Sequence, residues 1–289
     1  MVTIEGYAKG FSYAPGDRFD RTNHDWNAVR IDGEWRLLDA TWSAGHVSAD
    51  YRFERDFDDF YFFTPPEQFI HTHFPKDPAW QLLKNGITLA DFEALVYLRP
   101  AFFRNGLTAM SHTQSVIQAD GETAITFRAP PGVSLSTKLE RDGRNYRSHT
   151  FCQRDKENVY VYLRPPDPGR YELDVSAGGE WAVNHAIQAG AGMGSEAEYP
   201  EQFLGFTEHR CFLYAPMQRH LRAGTKQVFK LRVPDAQKAA VIMGDDWHQL
   251  TKSGDLFEGE IMVKQGEVGV YAQFPGESKY NGLLRYTGH

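Results

Sequence analysis

Residues 23–45 read NHDWNAVRIDGEWRLLDATWSAG, and this stretch decides the fold of the first part of the chain. Its Asp32-Gly33 pair predicts a two-residue β-hairpin turn, because both positions of that turn need a positive φ. The turn pairs residues whose numbers sum to 65. His24 and Asp39 then become diagonal neighbours on one face of the hairpin, within side-chain reach of each other.

Both faces of the predicted hairpin are rich in apolar residues, which is typical of a strand pair in the middle of a sheet. One face carries His24, Trp26, Ala28, Trp35, Leu37 and Asp39. The other face carries Val29, Ile31, Leu38 and Trp42. An imidazole that a carboxylate orients, away from water, is what a general base needs. The spacing alone also fits a satisfied polar pair without a catalytic role, which is the more common case.

The same stretch resembles the second half of the catalytic core of the transglutaminase-like cysteine superfamily. The likeness lies in His-x-Trp-Asn-x-Val at 24–29 and Asp-Gly-x-Trp-x-Leu-Leu-Asp-x-Thr-Trp-x-Ala-Gly at 32–45, with GYAKGFSYAPGD at 6–17 upstream. In that superfamily the catalytic residues follow the order Cys, His, Asp along the chain. The resemblance therefore implies that His24 is the base and that Asp39 orients it.

Two later segments narrow the resemblance to the kyphoscoliosis-peptidase and hillarin branch. They are DFYFFTPPEQFIHTHFPKDPAWQLL at 59–83 and YPEQFLGFTEHRCFLYAP at 199–216. The resemblance implies an intracellular protein in which a transglutaminase-like domain precedes β-sandwich modules. It also implies cytoskeletal proteins as partners and a cytoplasmic location, with association with the cytoskeleton as the finer expectation.

The two cysteines of the chain, Cys152 and Cys211, both follow Asp39. The family order places the nucleophilic cysteine before His24, so the sequence lacks the region of that cysteine. Met1 opens directly into an apparent strand, which indicates the C-terminal part of a longer protein. Basic neighbours such as His149 and Arg210 lower a thiol pKa, but the chain order makes substitution by either cysteine the weaker alternative.

Two functions remain open at this point. We expect the 289-residue chain to lack cysteine-enzyme activity and to act as a protein-binding scaffold. The alternative is an active cysteine-dependent acyl transferase or peptidase in a full-length parent, with His24 as base and Asp39 orienting it. We also expect the missing helix to leave the hairpin face of Trp26 and Leu37 uncovered, which would loosen the region before residue 105.

Composition excludes several other classes. A formal net charge of −7 argues against a nucleic-acid or anionic-membrane partner, and no apolar run is long enough for a membrane span. Two cysteines fit a reducing compartment. His71, His73 and Asp77 lack the spacing of a zinc site, so we expect no metal and no cofactor. The sequence does not indicate an oligomeric state.

Alternating strand patterns divide the chain into three predicted domains. Residues 1–105 form an α+β remnant of a transglutaminase-like, papain-like cysteine catalytic core with its tail. Residues 106–190 and 198–289 form two all-β immunoglobulin-like sandwich modules, because similar segments recur after about a hundred residues. The glycine-rich stretch at 190–198 between them predicts a flexible joint.

Overall fold

The structure is a computed structural model that describes residues 1–48 and 50–289. Strands predominate, and the helices are short. The strands before residue 110 are β1 Val2–Ala8, β2 His24–Ile31, β3 Glu34–Leu38, β4 Gly45–Val47, β5 Phe53–Arg55, β6 Phe62–Thr64, β7 His73–Pro75, β8 Tyr97–Leu98 and β9 Thr108–Ala109. The helices are α1 Ala40–Ala44, α2 Pro66–Phe69, α3 Leu89–Ala94, α4 Pro100–Arg104 and α5 Leu204–Glu208, with 3-10 turns at Asp59–Tyr61, Pro78–Gln81 and Arg147–His149.

The rest of the chain is almost entirely β-structure. The strands after residue 110 are β10 Val116–Ala119, β11 Thr123–Arg128, β12 Leu135–Arg141, β13 Arg144–Asn145, β14 Thr150–Asp155, β15 Asn158–Leu163, β16 Gly169–Ala177, β17 Glu180–Ala189, β18 Glu201–Gln202, β19 Phe212–Ala215, β20 His220–Leu221, β21 Lys226–Arg232, β22 Lys238–Met243, β23 Asp246–Gln249, β24 Thr251–Ser253, β25 Leu256–Met262, β26 Gly266–Gln273 and β27 Asn281–Gly288. Within the described residues, no helix is long and apolar enough to cross a membrane.

Contacts group the chain into two compact units. The first contains Met1–Leu107, His112–Ile117 and Glu172–Ile187. The second contains Thr108–Ser111, Gln118–Tyr171 and Gln188–His289. The three domains expected from the sequence stay a prediction.

The first unit is built on a five-stranded sheet with the order β6-β3-β2-β1-β7. The hairpin of β2 and β3 turns at Asp32 and Gly33, whose φ angles of 51° and 88° are both positive. Ile31 pairs with Glu34, and the register continues to Asn27 and Leu38, so every pair sums to 65. The predicted turn and register are confirmed.

The two faces of this hairpin differ in burial. Trp26 and Leu37 are 2% and 3% exposed, whereas Ile31 on the other face is 40% exposed. Val29 and Leu38 on that face are half-buried, and the hairpin lies in the middle of the sheet, as its two apolar faces predict.

The buried hairpin face is covered by the chain itself. The ring of Phe69 contacts Trp26 at 6.0 Å between centroids, and Trp80 meets Trp35 edge-on at 5.0 Å. The expectation of an uncovered face is therefore wrong for this structure. Residues 59–83, which follow the hairpin, supply the cover that we had assigned to a missing helix.

The first unit also contains strands from later in the chain. Strand β17 lies between β10 and β16. It also pairs with β8, where Val183 faces Leu98 and Asn184 faces Tyr97. A capping box of Thr88 and Asp91 begins α3, as the Thr-x-x-Asp pattern predicts.

The second unit contains three sheets whose strands are mainly antiparallel, and one further strand pair. One sheet has the order β14-β15-β11-β9, another β18-β27-β26-β22-β23, and a third β19-β21-β25-β24, while β12 pairs with β13. The second and third sheets enclose one apolar core that includes Phe229, Phe257 and Tyr286. The alternating segments after residue 120 therefore form the strands that their pattern predicts.

The glycine-rich stretch at 190–198 is held by hydrogen bonds. Met193 and Gly194 donate their backbone N–H groups to the carbonyls of Pro165 and Pro166. A side chain at Gly192 would collide with the backbone of Pro166 and Asp167, so glycine serves close backbone approach at this position. The glycines of this stretch, from which the sequence predicts a flexible joint, thus also allow close packing of the backbone.

Candidate active site

The candidate site forms where strand β3 ends and helix α1 begins. Asp39 is the N-cap of α1, and its Oδ1 accepts the backbone N–H groups of Thr41 and Trp42 at 2.8 and 3.0 Å. An N-cap carboxylate is fixed by this geometry, because it satisfies donors that the first helical turn leaves without partners. The second oxygen, Oδ2, is thereby directed to the buried face of the hairpin.

His24 lies beside that second oxygen. Its Nε2 is 2.6 Å from Asp39 Oδ2, and its side chain is 17% exposed while that of Asp39 is 1% exposed. The geometric prediction is confirmed, since the two side chains share one face and meet within hydrogen-bond distance. The ring of Trp42 lies 5.4 Å from the imidazole and shields its flank.

A second histidine, His73, binds the same carboxylate oxygen. Its Nε2 is 3.1 Å from Asp39 Oδ2, and the side chain is fully buried between Phe69 and Trp42, at centroid distances of 4.1 and 4.4 Å. The sequence pattern groups His73 with His71 and Asp77 and does not predict this contact with Asp39. Its only signal was a histidine in a short apolar segment.

The residues that were considered with His73 have other roles. His71 Nδ1 faces the carbonyl of Val96 at 3.4 Å, and Asp77 caps the 3-10 turn that begins at Pro78. Among the described residues, the group whose ligand atoms lie within 4.8 Å of one another is His24, Asp39 and His73.

The charges of the cluster follow from its hydrogen bonds. Burial pushes the pKa of Asp39 upward, but the hydrogen bonds from His24 and His73 outweigh it and hold the pKa well below its ordinary value. Burial lowers the pKa of His73 to about 4, so its ring is neutral near pH 7. An ionised carboxylate only accepts, and both Nε2 atoms therefore donate to Asp39. In a neutral imidazole this leaves the lone pair of His24 on Nδ1, away from Asp39.

The two thiols of the chain lie in environments that suppress their reactivity. Burial raises the pKa of Cys152 and of Cys211 to about 12, and the nearby Arg154 and Arg232 oppose this only in part. The basic neighbours noted in the sequence therefore do not produce a reactive thiolate in either place.

We expect both cysteines to resist alkylation in the native protein. A thiol with a pKa of about 12 holds roughly a thousandth of the thiolate of an ordinary cysteine near neutral pH, so iodoacetamide should react about 10³-fold more slowly than with glutathione. Mass spectrometry of timed samples measures this, with guanidinium-unfolded protein as the reactive control. Rapid native labelling of Cys152 or Cys211 would revive the substitution idea.

Comparison of the sequence with known domain families assigns one segment of the chain to a domain class. Residues 89–188 match the KY-like, immunoglobulin-like domain family. The chain thus contains an immunoglobulin-like domain of the KY-like type.

Homologues of the chain include kyphoscoliosis peptidase, hillarin and a nematode protein. The chain is 34% identical to mouse kyphoscoliosis peptidase over 64% of its own length and 28% of that protein. It is 40% identical to Hillarin of Drosophila melanogaster over 55% of its length and 21% of that protein. It is 36% identical to Lim and transglutaminase domain protein ltd-1 of Caenorhabditis elegans over 45% of its own length and 20% of that protein. The resemblance to the kyphoscoliosis-peptidase and hillarin branch is confirmed, and the chain spans between a fifth and a third of these relatives.

Proposed function

We propose that His24 and Asp39 are the base half of a transglutaminase-like, cysteine-dependent acyl-transfer site. The observation that supports this most directly is the 2.6 Å contact between His24 Nε2 and a carboxylate that is buried and fixed by two backbone N–H groups. The partly exposed imidazole keeps its other nitrogen available to a reactant.

The chemistry of the proposed site follows from that geometry. A cysteine thiol placed against His24 Nδ1 would transfer its proton to the imidazole, and the ionised Asp39 would stabilise the resulting imidazolium. The thiolate would then attack an amide carbonyl carbon, forming the S–C bond. The C–N bond breaks as the imidazolium returns the proton to the leaving amine. The thiol in this proposal comes from sequence outside the 289 residues.

The proposed fold class rests on the same residues. In this proposal, residues 1–105 are the C-terminal part of a transglutaminase-like core, and residues 106–190 and 198–289 are two immunoglobulin-like modules. The Asp-Gly hairpin of β2 and β3, with His24 and Asp39 on its buried face, supports the first assignment. The KY-like match at residues 89–188 supports the first of the two modules.

A scaffold role for the 289-residue chain by itself is the second candidate. The raised pKa of both thiols, to about 12, favours it, because only a small fraction of either cysteine would then be thiolate near neutral pH. The proposed partners are cytoskeletal proteins, and the proposed location is the cytoplasm, by analogy with the intracellular, cytoskeleton-associated proteins that the branch resemblance implies. The β-rich second unit is the proposed binding region.

The decisive experiment compares this chain with a longer natural product that extends upstream of residue 1. In the longer protein, His24→Gln should abolish amine incorporation, glutamine deamidation or proteolysis as completely as removal of the upstream cysteine does. The 289-residue chain should show none of these activities above background. His46→Gln, a change at an exposed histidine of β4, is the matched control. Full turnover in the longer His24→Gln protein would contradict the proposed base.

A further inference from the structure

We propose that His24, Asp39 and His73 form a binding site for one divalent transition-metal ion, with Zn²⁺ as the ion that fits best. Their ligand atoms all lie within 4.8 Å of one another, and an ion would replace the two Nε2–H hydrogen bonds to Oδ2 of Asp39. Two imidazole nitrogens and one carboxylate oxygen are a ligand set that zinc uses when it keeps a fourth position open.

Each buried ligand is held by groups that leave its metal-facing atom in place. The Oδ1 atom of Asp39 accepts two backbone N–H groups, so Oδ2 remains directed at the histidines. Nδ1 of His73 is 2.8 Å from Thr72 Oγ1, which in turn is 3.2 Å from the carbonyl of Phe69. If a metal occupied Nε2, the Nδ1–H group would donate to Thr72 Oγ1 and the hydroxyl to Phe69. This is the outer-shell arrangement that metal-binding histidines usually have.

The burial of the cluster indicates where an ion enters and which ion is favoured. Asp39 and His73 are almost completely buried, whereas His24 is partly exposed. The open coordination position therefore lies on the side of His24 and would hold water. A non-haem Fe²⁺ site needs several open positions around its two histidines and one carboxylate. The single open side favours four-coordinate Zn²⁺.

Metal binding and the proposed base function exclude each other. Zn²⁺ would occupy Nε2 of His24, the atom through which Asp39 orients the ring, and the ring proton would move to Nδ1. The nitrogen that accepts the thiol proton would then carry a proton of its own. The metal site itself depends only on the three side chains. Its test therefore gives the same answer whether or not the acyl-transfer proposal is correct.

Calorimetric titration of the 289-residue protein with ZnCl₂ tests the site. We expect one ion per chain, and the His24→Gln and His73→Gln variants should each weaken binding by at least about 100-fold, because even outer-shell changes cost about 10- to 100-fold. Thr72→Val should weaken binding by about tenfold. Titration with Co²⁺ should give the intense visible absorption of a four-coordinate ion.

Two histidines that lie outside the cluster serve as matched controls. His71→Gln changes a half-buried histidine that faces Val96, and His46→Gln changes an exposed histidine near Glu54. Both variants should bind Zn²⁺ like the unmodified protein. His24 is partly exposed, so His24→Gln decides the question even if His73→Gln fails to fold. Binding that is absent, that survives His24→Gln, or that gives a weak six-coordinate Co²⁺ spectrum would overturn the proposal.

Discussion

Replacing Asp39 with alanine should lower the free energy of unfolding of the first unit by about 2–4 kcal/mol. The substitution removes the cap of helix α1 and also the acceptor of two imidazole N–H groups. Loss of a cap alone costs about 1 kcal/mol. The larger part arises because His73 is fully buried and its Nε2–H group would lose its partner.

Two further variants separate these contributions. Asp58→Ala removes the cap of the 3-10 turn Asp59–Tyr61 and an ion pair with Arg104 without touching a histidine, and should cost about 1–2 kcal/mol. Asp39→Asn keeps an oxygen for the helix cap and should destabilise less than Asp39→Ala. Denaturant unfolding followed by tryptophan fluorescence reports the first unit, which contains five of the six tryptophans. If Asp39→Ala and Asp58→Ala lowered the free energy of unfolding equally, the histidine contacts of Asp39 would contribute nothing to stability.

The sequence predicts the His24–Asp39 pair because that contact is local. A two-residue turn at Asp32-Gly33 fixes the register, and the register fixes which side chains share a face. His73 lies on β7, at the edge of the sheet and on the far side of β1 from β2. No local rule pairs β7 with β1, so its contact with Asp39, 34 residues away, was not predictable from spacing.

The difference between local and long-range contacts also explains where helix α3 ends. The capping box of Thr88 and Asp91 is confined to four residues, and the sequence predicts it correctly. The pattern also suggests a helix that continues toward Pro100, yet α3 ends at Ala94. Tyr97 and Leu98 instead form strand β8 against Val183 and Asn184, a long-range pairing that overrides local helix propensity.

The sequence also does not predict which segment covers the hairpin face, because that contact is long-range as well. The aromatic residues of 59–83 were assigned to the tail of the core, and their contact with the hairpin depends on how β6 and β7 join the two edges of the sheet. Phe69 and Trp80 then reach Trp26 and Trp35. A face rich in apolar residues indicates that something covers it, but the covering segment is set by topology.

Lys9 is a buried charge that the sequence did not reveal. Its side chain is completely buried, and Nζ donates to the carbonyl of Leu95 at 2.6 Å. The ammonium group lies 4.5 Å from the ring centre of Phe92 and 5.2 Å from that of Tyr13. Burial lowers the pKa of Lys9 to about 7, while the carboxylate of Glu93 opposes the shift only in part.

This pKa should make the first unit more stable as the pH rises above neutrality. Between the folded pKa of about 7 and the unfolded value of 10.5, the unfolded chain holds a proton on Lys9 that the folded chain has released. Stability rises with pH wherever the unfolded state binds more protons, and here the gain from about pH 7 to about pH 9.5 is about 3 kcal/mol. Below about pH 6 the contribution is constant, because both states are then protonated.

Denaturant titrations at several pH values, read by tryptophan fluorescence, measure this gain. Lys9→Met should remove most of the rise, since methionine fills a similar volume and does not titrate. Lys76→Met is the matched control, because Lys76 is exposed, pairs with Glu5 and has a raised pKa. The range ends near pH 9.5 because tyrosines of the unfolded chain ionise at higher pH, whereas Tyr13 has its pKa raised to about 12 in the folded protein. A rise that persists in Lys9→Met would assign the pH dependence to another group, and a flat profile in the unmodified protein would show that Lys9 stays protonated despite its burial.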